Sequence, residues 1–175
     1  MKTKYKLLLI IAPAVFILDQ VTKFAVSASL EAGSRYPVIA GFFDLVHFQN
    51  TGAAFGLFSE VGASFRVPFF YAVAVAAVVL LAMFYRTLGE DERLLPVALA
   101  LVFGGIAGNV MDRLRLGAVT DFLSFHIGDR SLDFALLGIQ RHIGLEWPAF
   151  NVADSAITIA MLFLLCSAFS RRGVK

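Results

Sequence analysis

A chain of 175 residues is long enough for one domain. Its apolar fraction is 59%, above the roughly 45–50% of soluble domains, 18 residues are phenylalanine, and mean hydropathy is +0.79, so a membrane is the default solvent. A net charge of +2, carried by dispersed basic residues, excludes a nucleic-acid partner. The single Cys166 allows no internal disulfide and reads as a small buried hydrophobe. His47, His126 and His142 lack ligand spacing and read as loop residues, so neither a metal nor another cofactor is expected.

The N-terminus "MKTKYKLLLI" has the basic start of a secretory signal peptide. Asp19 and Lys23 interrupt the apolar run that follows, and three more runs lie downstream, which predicts retention as a first membrane helix over about 7–28. Crossing a bilayer takes roughly 17–25 residues, and further runs at about 67–85, 94–111 and 152–169 meet that length. In lipid each must be helical, because no water satisfies its backbone groups. The first outer loop, about 29–66, contains "YPVIAGFFDLVHFQNTGAAFGLF", whose β-branched and aromatic residues with Gly punctuation predict short amphipathic strands at the membrane surface. The second, about 112–151, mixes strand-like "AVTDFLSF" with a stretch ending at Trp147, an interfacial anchor. No repeat or low-complexity linker divides the chain, so residues 1–175 read as one membrane-embedded domain.

Orientation follows from the short segments. Lys2, Lys4 and Lys6 precede the first span, Arg86 and Arg93 separate the second from the third, and Arg171, Arg172 and Lys175 follow the fourth. The positive-inside rule puts these in the cytoplasm, with both termini, although Arg113, Arg115, Arg130 and Arg141 oppose the bias.

A helical rise of about 1.5 Å per residue turns position into depth. Asp19 lies roughly 18 Å from the inner start of its span, just past the midplane, with Lys23 one turn further out on the same face. The third span runs outward, so "GGIAGNVMDR" falls at its outer end, with Gly105, Asn109 and Asp112 on one face and Gly104 and Gly108 alongside. Asn151 and Asp154 enter the fourth span at that level, and Asp121 follows the third after a short turn. Intramembrane ionisable groups in one layer mark a functional cavity. Bland roles stand beside that reading: an i,i+4 ion pair for Asp19 and Lys23, helix packing for "GGIAG", an interface pair for Asp112–Arg113, turn geometry for "NTGAAF", and a helix-start acid for Asp154.

Two carboxylates in a desolvated site hold one proton between them. The ionised partner deprotonates water and the protonated one polarises a carbonyl, which suits peptide hydrolysis without metal or covalent intermediate. Ser124 and Ser155 lie next to the acids but outside any nucleophile-elbow setting. Two acids at a membrane interface also suit a small proton-coupled carrier, and spacing alone does not choose; a non-catalytic scaffold is a third class.

Five blocks in order give a resemblance over nearly the whole chain: "DQVTK" (Asp19–Lys23), "NTGAAFG" (Asn50–Gly56), "GGIAGNVMDR" (Gly104–Arg113), "GAVTDF" (Gly117–Phe122) and "FNVADSAI" (Phe150–Ile157). On a four-span frame they resemble the lipoprotein signal peptidases (signal peptidase II), bacterial membrane aspartic peptidases. The resemblance implies an α-helical integral membrane protein, a four-helix bundle with a small periplasmic β-cradle and a flexible lid from the second outer loop. It implies cleavage of prolipoproteins before a cysteine bearing diacylglycerol, in the bacterial inner membrane, with the site toward the periplasm and in contact with membrane lipid. Asp121 and Asp154 match the catalytic aspartates. Asn50, Gly52, Gly108, Asn109, Arg113, Asn151 and Ala153 match positions that line or support the substrate site, and Asp19 and Lys23 match support beneath it. The segment between Asp121 and Asp154 is about a dozen residues longer than the family pattern, and contains Asp133, which lacks the "FN-x-A-D" context.

Overall fold

The computed structural model describes residues 2–52, 62–136 and 139–172. Among them the elements run α1 (Thr3–Ser29), β1 (Arg35–Ile39), β2 (Phe43–Asn50), α2 (Ala63–Thr87), α3 (Leu94–Leu116), β3 (Val119–Leu136), β4 (Ile139–Glu146) and α4 (Val152–Arg172). Every predicted span falls inside one helix, and all four helices are long and apolar enough to cross a membrane. The third exceeds its predicted end by five residues, ending at Leu116 rather than Met111, so Asp112 and Arg113 are helical rather than part of a loop. Gly117 stops it in a left-handed conformation (φ 72°) with its N–H bonded to the Arg113 carbonyl, a conformation glycine adopts without steric penalty.

The burial pattern of α1 is inverted relative to a soluble helix. Its buried residues are Lys4, Asp19 and Lys23, while Leu9, Ile10, Ile17, Leu18, Val21 and Phe24 are exposed. In lipid, apolar side chains need no cover and polar ones do, so the charged residues turn inward. Cys166 likewise lies on an exposed face of α4, not in a protein core as the sequence suggested. Helix association then rests on close packing of small residues. A Cβ on Gly104 would sit 2.7 Å from the Ala12 carbonyl of α1, and one on Gly105 would sit 2.7 Å from the Ala153 carbonyl of α4. Gly108 meets both neighbours, facing the Asp19 carboxylate and the Ala153 methyl. The glycine block is therefore the three-way junction of α1, α3 and α4.

At the end of the bundle where α1 begins, Lys4 is buried and its Nζ donates to the Tyr85, Arg86 and Leu88 carbonyls at 3.3, 3.1 and 2.6 Å. It caps the C-terminus of α2, where a cation suits the helix dipole. Tyr85, Leu88, Leu95 and Leu99 form an apolar cluster beside it.

At the other end two hairpins join as one antiparallel sheet in the order β1-β2-β3-β4. They arise from different loops, so both outer loops lie at one end of the bundle, opposite the α2–α3 link. The expected strands in the first loop are present; His47 and His126 stand in β2 and β3, and His142 in β4, not in loops. His47 is buried, with Nδ1 2.8 Å from the Leu30 carbonyl and Nε2 3.3 Å from Ser27 Oγ. The β2–β3 register slips between Leu45↔Leu123 and Phe48↔Asp121, one extra residue on β2. Such bulges re-aim side chains, and here the slip sets Asn50 opposite Val119 near Asp121. The long second loop forms a hairpin, β3 pairing with β4 from His126↔Glu146 to Leu136↔Ile139. Asp133 has His142 as its register partner on that hairpin. Residues 53–56 of the "NTGAAFG" block and Lys175 lie outside the described residues.

Gly105→Ala should lower stability by about 1–2 kcal/mol in detergent melts, because displacing α4 costs about 1–3 kcal/mol and outweighs a helix-propensity gain of up to about 1 kcal/mol. Gly89→Ala, whose Cβ would meet nothing nearer than 3.9 Å, should melt like the parent.

Candidate active site

Asn151 organises the site. It immediately precedes α4, where its Oδ1 accepts the Asp154 N–H at 3.0 Å while Asp154 Oδ2 accepts the Asn151 N–H at 3.3 Å. This is a reciprocal capping box, so the helix-start role of Asp154 is real. The other end of the Asn151 side chain does more. Its Nδ2 donates to Asp121 Oδ1 at 2.8 Å and to Asn109 Oδ1 at 3.2 Å. One buried amide thus ties β3, α3 and α4 together between the two aspartates.

Each aspartate has a second amide donor. Asn109 Nδ2 donates to Asp154 Oδ1 at 2.8 Å, and Asn50 Nδ2 donates to Asp121 Oδ2 at 3.1 Å. Asn50 Oδ1 also accepts the Gly52 N–H at 3.0 Å, a turn bond, so the turn role and the site role of "NTG" coexist. The Gly52 carbonyl accepts from Arg113 Nη2 at 2.9 Å, and the guanidinium stacks 4.6 Å from the Phe70 ring centroid.

Beneath this layer Lys23 Nζ lies 2.9 Å from Asp19 Oδ2, 3.0 Å from Asp112 Oδ2 and 3.0 Å from Asn109 Oδ1. Asp19 Oδ1 accepts the Ala153 N–H at 2.9 Å, and Asp112 Oδ2 accepts the Thr120 N–H at 3.0 Å. Gln20 Nε2 completes the set with bonds to Asp19 Oδ2 and Asp112 Oδ1 at 3.2 and 3.0 Å. The expected Asp19–Lys23 pair is present, but Asp112 joins Lys23 rather than forming an interface pair with Arg113. Asp112 and Gln20 were not singled out from sequence as site residues; the signal was there in the spacing of Asp112 from Asn109 on one helical face.

A cavity of about 610 Å³ opens on the pair. Asn50, Gly52, Asn109, Arg113, Asp121 and Asp154 line its polar side; Trp147 to Phe150 form a wall, and Ile157, Thr158 and Ile159 carry it along α4. Of the sequence candidates, Gly108, Ala153, Asn151, Asp19 and Lys23 lie behind this surface as support. Ser155 Oγ donates to the Asn151 carbonyl and Ser124 Oγ to the Glu146 carboxylate, so both hydroxyls are engaged outside the Asp121–Asp154 pair.

Burial, and then the negative charge of Asp154, push the Asp121 carboxyl up to about 7, against a contrary pull from the Asn50 and Asn151 amides. Near neutrality the pair can hold one proton and one charge.

A family model described as Signal peptidase (SPase) II matches residues 11–170. The chain belongs to the signal peptidase II family. It is 41% identical over 172 residues to the lipoprotein signal peptidase of Syntrophotalea carbinolica, covering 98% of this chain and 96% of that one. Against the lipoprotein signal peptidase of Azoarcus sp. (strain BH72) identity is 44% over 157 residues, 90% of this chain and 79% of the relative. A solved bacterial membrane enzyme, determined in meso at 2.3 Å, superposes with a TM-score of 0.77 at 27% identity, covering 96% and 90% of the two chains. The expected family and fold class are thereby established: an α-helical multi-pass membrane protein of the signal peptidase II family, with a small sheet at one end.

Asp121 should titrate near pH 7, protonated below and ionised above, when the carboxylates are followed by infrared difference spectroscopy. Asp154→Asn removes a neighbouring negative charge and should move that titration to lower pH. Because the folded value exceeds the 3.8 of an unperturbed aspartate, Asp121's contribution to stability should be lost as pH rises through that window toward 7.

Proposed function

We propose that Asp121 and Asp154 together hydrolyse the signal-peptide bond of a prolipoprotein inside one membrane-embedded domain. Removal of signal peptides from prolipoproteins follows from the family, and no observation favours the carrier. The observation that supports the aspartic mechanism is the buried Asn151 side chain behind the cavity, which donates to the Asp121 carboxylate and accepts the Asp154 backbone N–H, holding the two cavity-lining aspartates side by side.

In its protonated form Asp121 donates to the scissile carbonyl oxygen, and ionised Asp154 takes a proton from water. The water oxygen bonds to the carbonyl carbon, giving a tetrahedral diol. Its collapse returns the proton to Asp121 and breaks the C–N bond, while Asp154 passes its proton to the leaving amine. Both carboxyls return to their starting states. Arg113, Asn50 and Gly52 at the cavity rim position the peptide, and Asn109, Asn151, Gly108, Ala153, Asp19 and Lys23 hold the dyad in place.

The substrate carries diacylglycerol on the cysteine that follows the bond. Support comes from the apolar continuation of the cavity along Ile157 and Ile159, which gives acyl chains a path level with the outer leaflet. The chain resides in the bacterial inner membrane with both termini in the cytoplasm. The basic flanking segments and the position of both hairpins opposite the termini support that orientation.

Asp121→Asn and Asp154→Asn should each lower cleavage of a diacylglyceryl prolipoprotein, measured by product mass, by about a thousandfold or more, with the double variant little worse. A folded single variant with near-parental turnover removes that residue from the mechanism. In a Cys166→Ser background, Glu31→Cys should react with an impermeant thiol reagent applied from outside, and Asp91→Cys only after permeabilisation. The opposite labelling pattern would invert the membrane orientation.

A further inference from the structure

Apart from the dyad and the Lys23 network, the described residues hold a partly buried charge cluster to which each strand of the sheet contributes. Arg35 of β1 donates Nη1 to Asp44 Oδ2 of β2 at 2.7 Å and Nη2 to Glu146 Oε1 at the end of β4. Ser124 of β3 donates to the same Glu146 oxygen at 2.9 Å, and His126 Nε2 lies 3.1 Å from Asp44 Oδ2. Asp44 is 3% exposed and Ser124 fully buried, while the Arg35 and Glu146 side chains are 35% and 43% exposed, so the cluster runs from a buried floor to a partly exposed rim. Burial disfavours charge on Asp44 and Glu146, yet Arg35 with His126, and Arg35 with Ser124, hold the two carboxyls below their usual range.

Position gives the cluster its consequence. Glu146 is the last residue of β4, and the chain beyond it runs back along β3 toward Asp154. The Trp147 N–H donates to the Phe125 carbonyl at 2.8 Å, and Leu123 and Phe150 exchange bonds at 2.8 and 3.0 Å. Phe150 stacks on Phe125 with centroids 5.9 Å apart. Successive side chains of an extended segment point to opposite faces. Glu146 therefore faces the charge cluster, and Trp147 faces the cavity that it lines. We propose that Arg35 and Glu146 are positioning residues that clasp the Trp147–Phe150 wall against the sheet and thereby set how tightly the cavity grips its substrate. They touch no reacting atom. The clasp shapes the binding face opposite the dyad, so its loss weakens substrate capture and spares the chemical step. Its kinetic consequence rests on the prolipoprotein peptidase reading; its structural consequence does not.

Trp147 is the sole tryptophan of the chain, which gives a readout independent of catalysis. In purified Glu146→Gln protein with parental helix content, Trp147 fluorescence anisotropy should fall. KM for a diacylglyceryl prolipoprotein should rise about fivefold with kcat within about twofold, as expected for one lost, partly exposed charge pair. Arg35→Gln should act in the same direction, and Arg35→Gln/Glu146→Gln should add little to either. Arg35→Gln also strips Asp44 of its main partner; if that variant fails to fold, Glu146→Gln, which keeps the Arg35–Asp44 pair, decides. Unchanged anisotropy in the folded variant overturns the clasp, as does lowered anisotropy with unchanged KM, or a fall in kcat that tracks a lowered melting temperature. If the parent protein leaves the prolipoprotein uncut, the peptidase reading fails, and the anisotropy alone decides whether Arg35 and Glu146 hold the wall.

Discussion

Lys23 is a buried cation in a helix whose remaining faces are apolar, and its surroundings make it tolerable there. Its Nζ has Asp19, Asp112 and Asn109 oxygens within 3.0 Å. Moving one ion into a low-dielectric interior costs several kcal/mol, and only well-placed partners offset it. Because those partners come from α1 and α3, meeting the charge fixes the two helices in rotation and in height. The acids are then satisfied by backbone N–H groups of α4 and of β3, at Ala153 and Thr120. Four elements are registered by one ionic knot, and the glycines of α3 let them come close enough to form it.

The dyad inherits its geometry from that knot. Lys23 holds Asn109, Asn109 donates to Asp154, and Asn151 links Asn109 to Asp121. Ordinary local motifs serve chemistry here: a capping box presents Asp154, a glycine C-cap followed by a single residue begins the strand of Asp121, and a bulge aims Asn50. Irregular backbone at membrane depth is acceptable only if it lines a cavity or is covered by protein, which confines such devices to the site. On the far side of the sheet the Arg35 cluster plays a comparable part for the cavity wall, in a wetter and more exchangeable setting.

Much of this was legible in the sequence because lipid imposes simple rules. Length and hydropathy located four helices, and depth counting placed Asn109, Asp121, Asn151 and Asp154 in one layer. The failures share a cause. Asp112 was read beside its chain neighbour Arg113, whereas its partner is Lys23 on another helix; only the packing of α1 against α3 reveals that. The interfacial role expected of Trp147 is compatible with its exposure, and its further place in the cavity wall depends on the antiparallel return of residues 147–150 along β3. The three histidines read as loop residues in sequence but stand in strands, because strand register and bulges are set by non-local pairing, which alternation alone does not encode. The apolar setting of Cys166 predicts burial by the rule of water-soluble cores, whereas on a membrane helix an apolar face is left exposed to lipid.

The role of the ionic knot is tested most directly by neutralising it. Lys23→Met alone would leave two buried acids without their cation and cost about 3–5 kcal/mol, so loss of activity there would confound folding with catalysis. The combined Asp19→Asn/Lys23→Met/Asp112→Asn variant keeps acceptors for the Ala153 and Thr120 N–H groups while removing every charge. Its melting temperature and its turnover of a diacylglyceryl prolipoprotein should be measured together. The expected result is a folded protein whose turnover is down about a hundredfold, because Asn109 has lost the cation that orients it toward Asp154. A folded triple variant that cleaves at the parental rate contradicts the account.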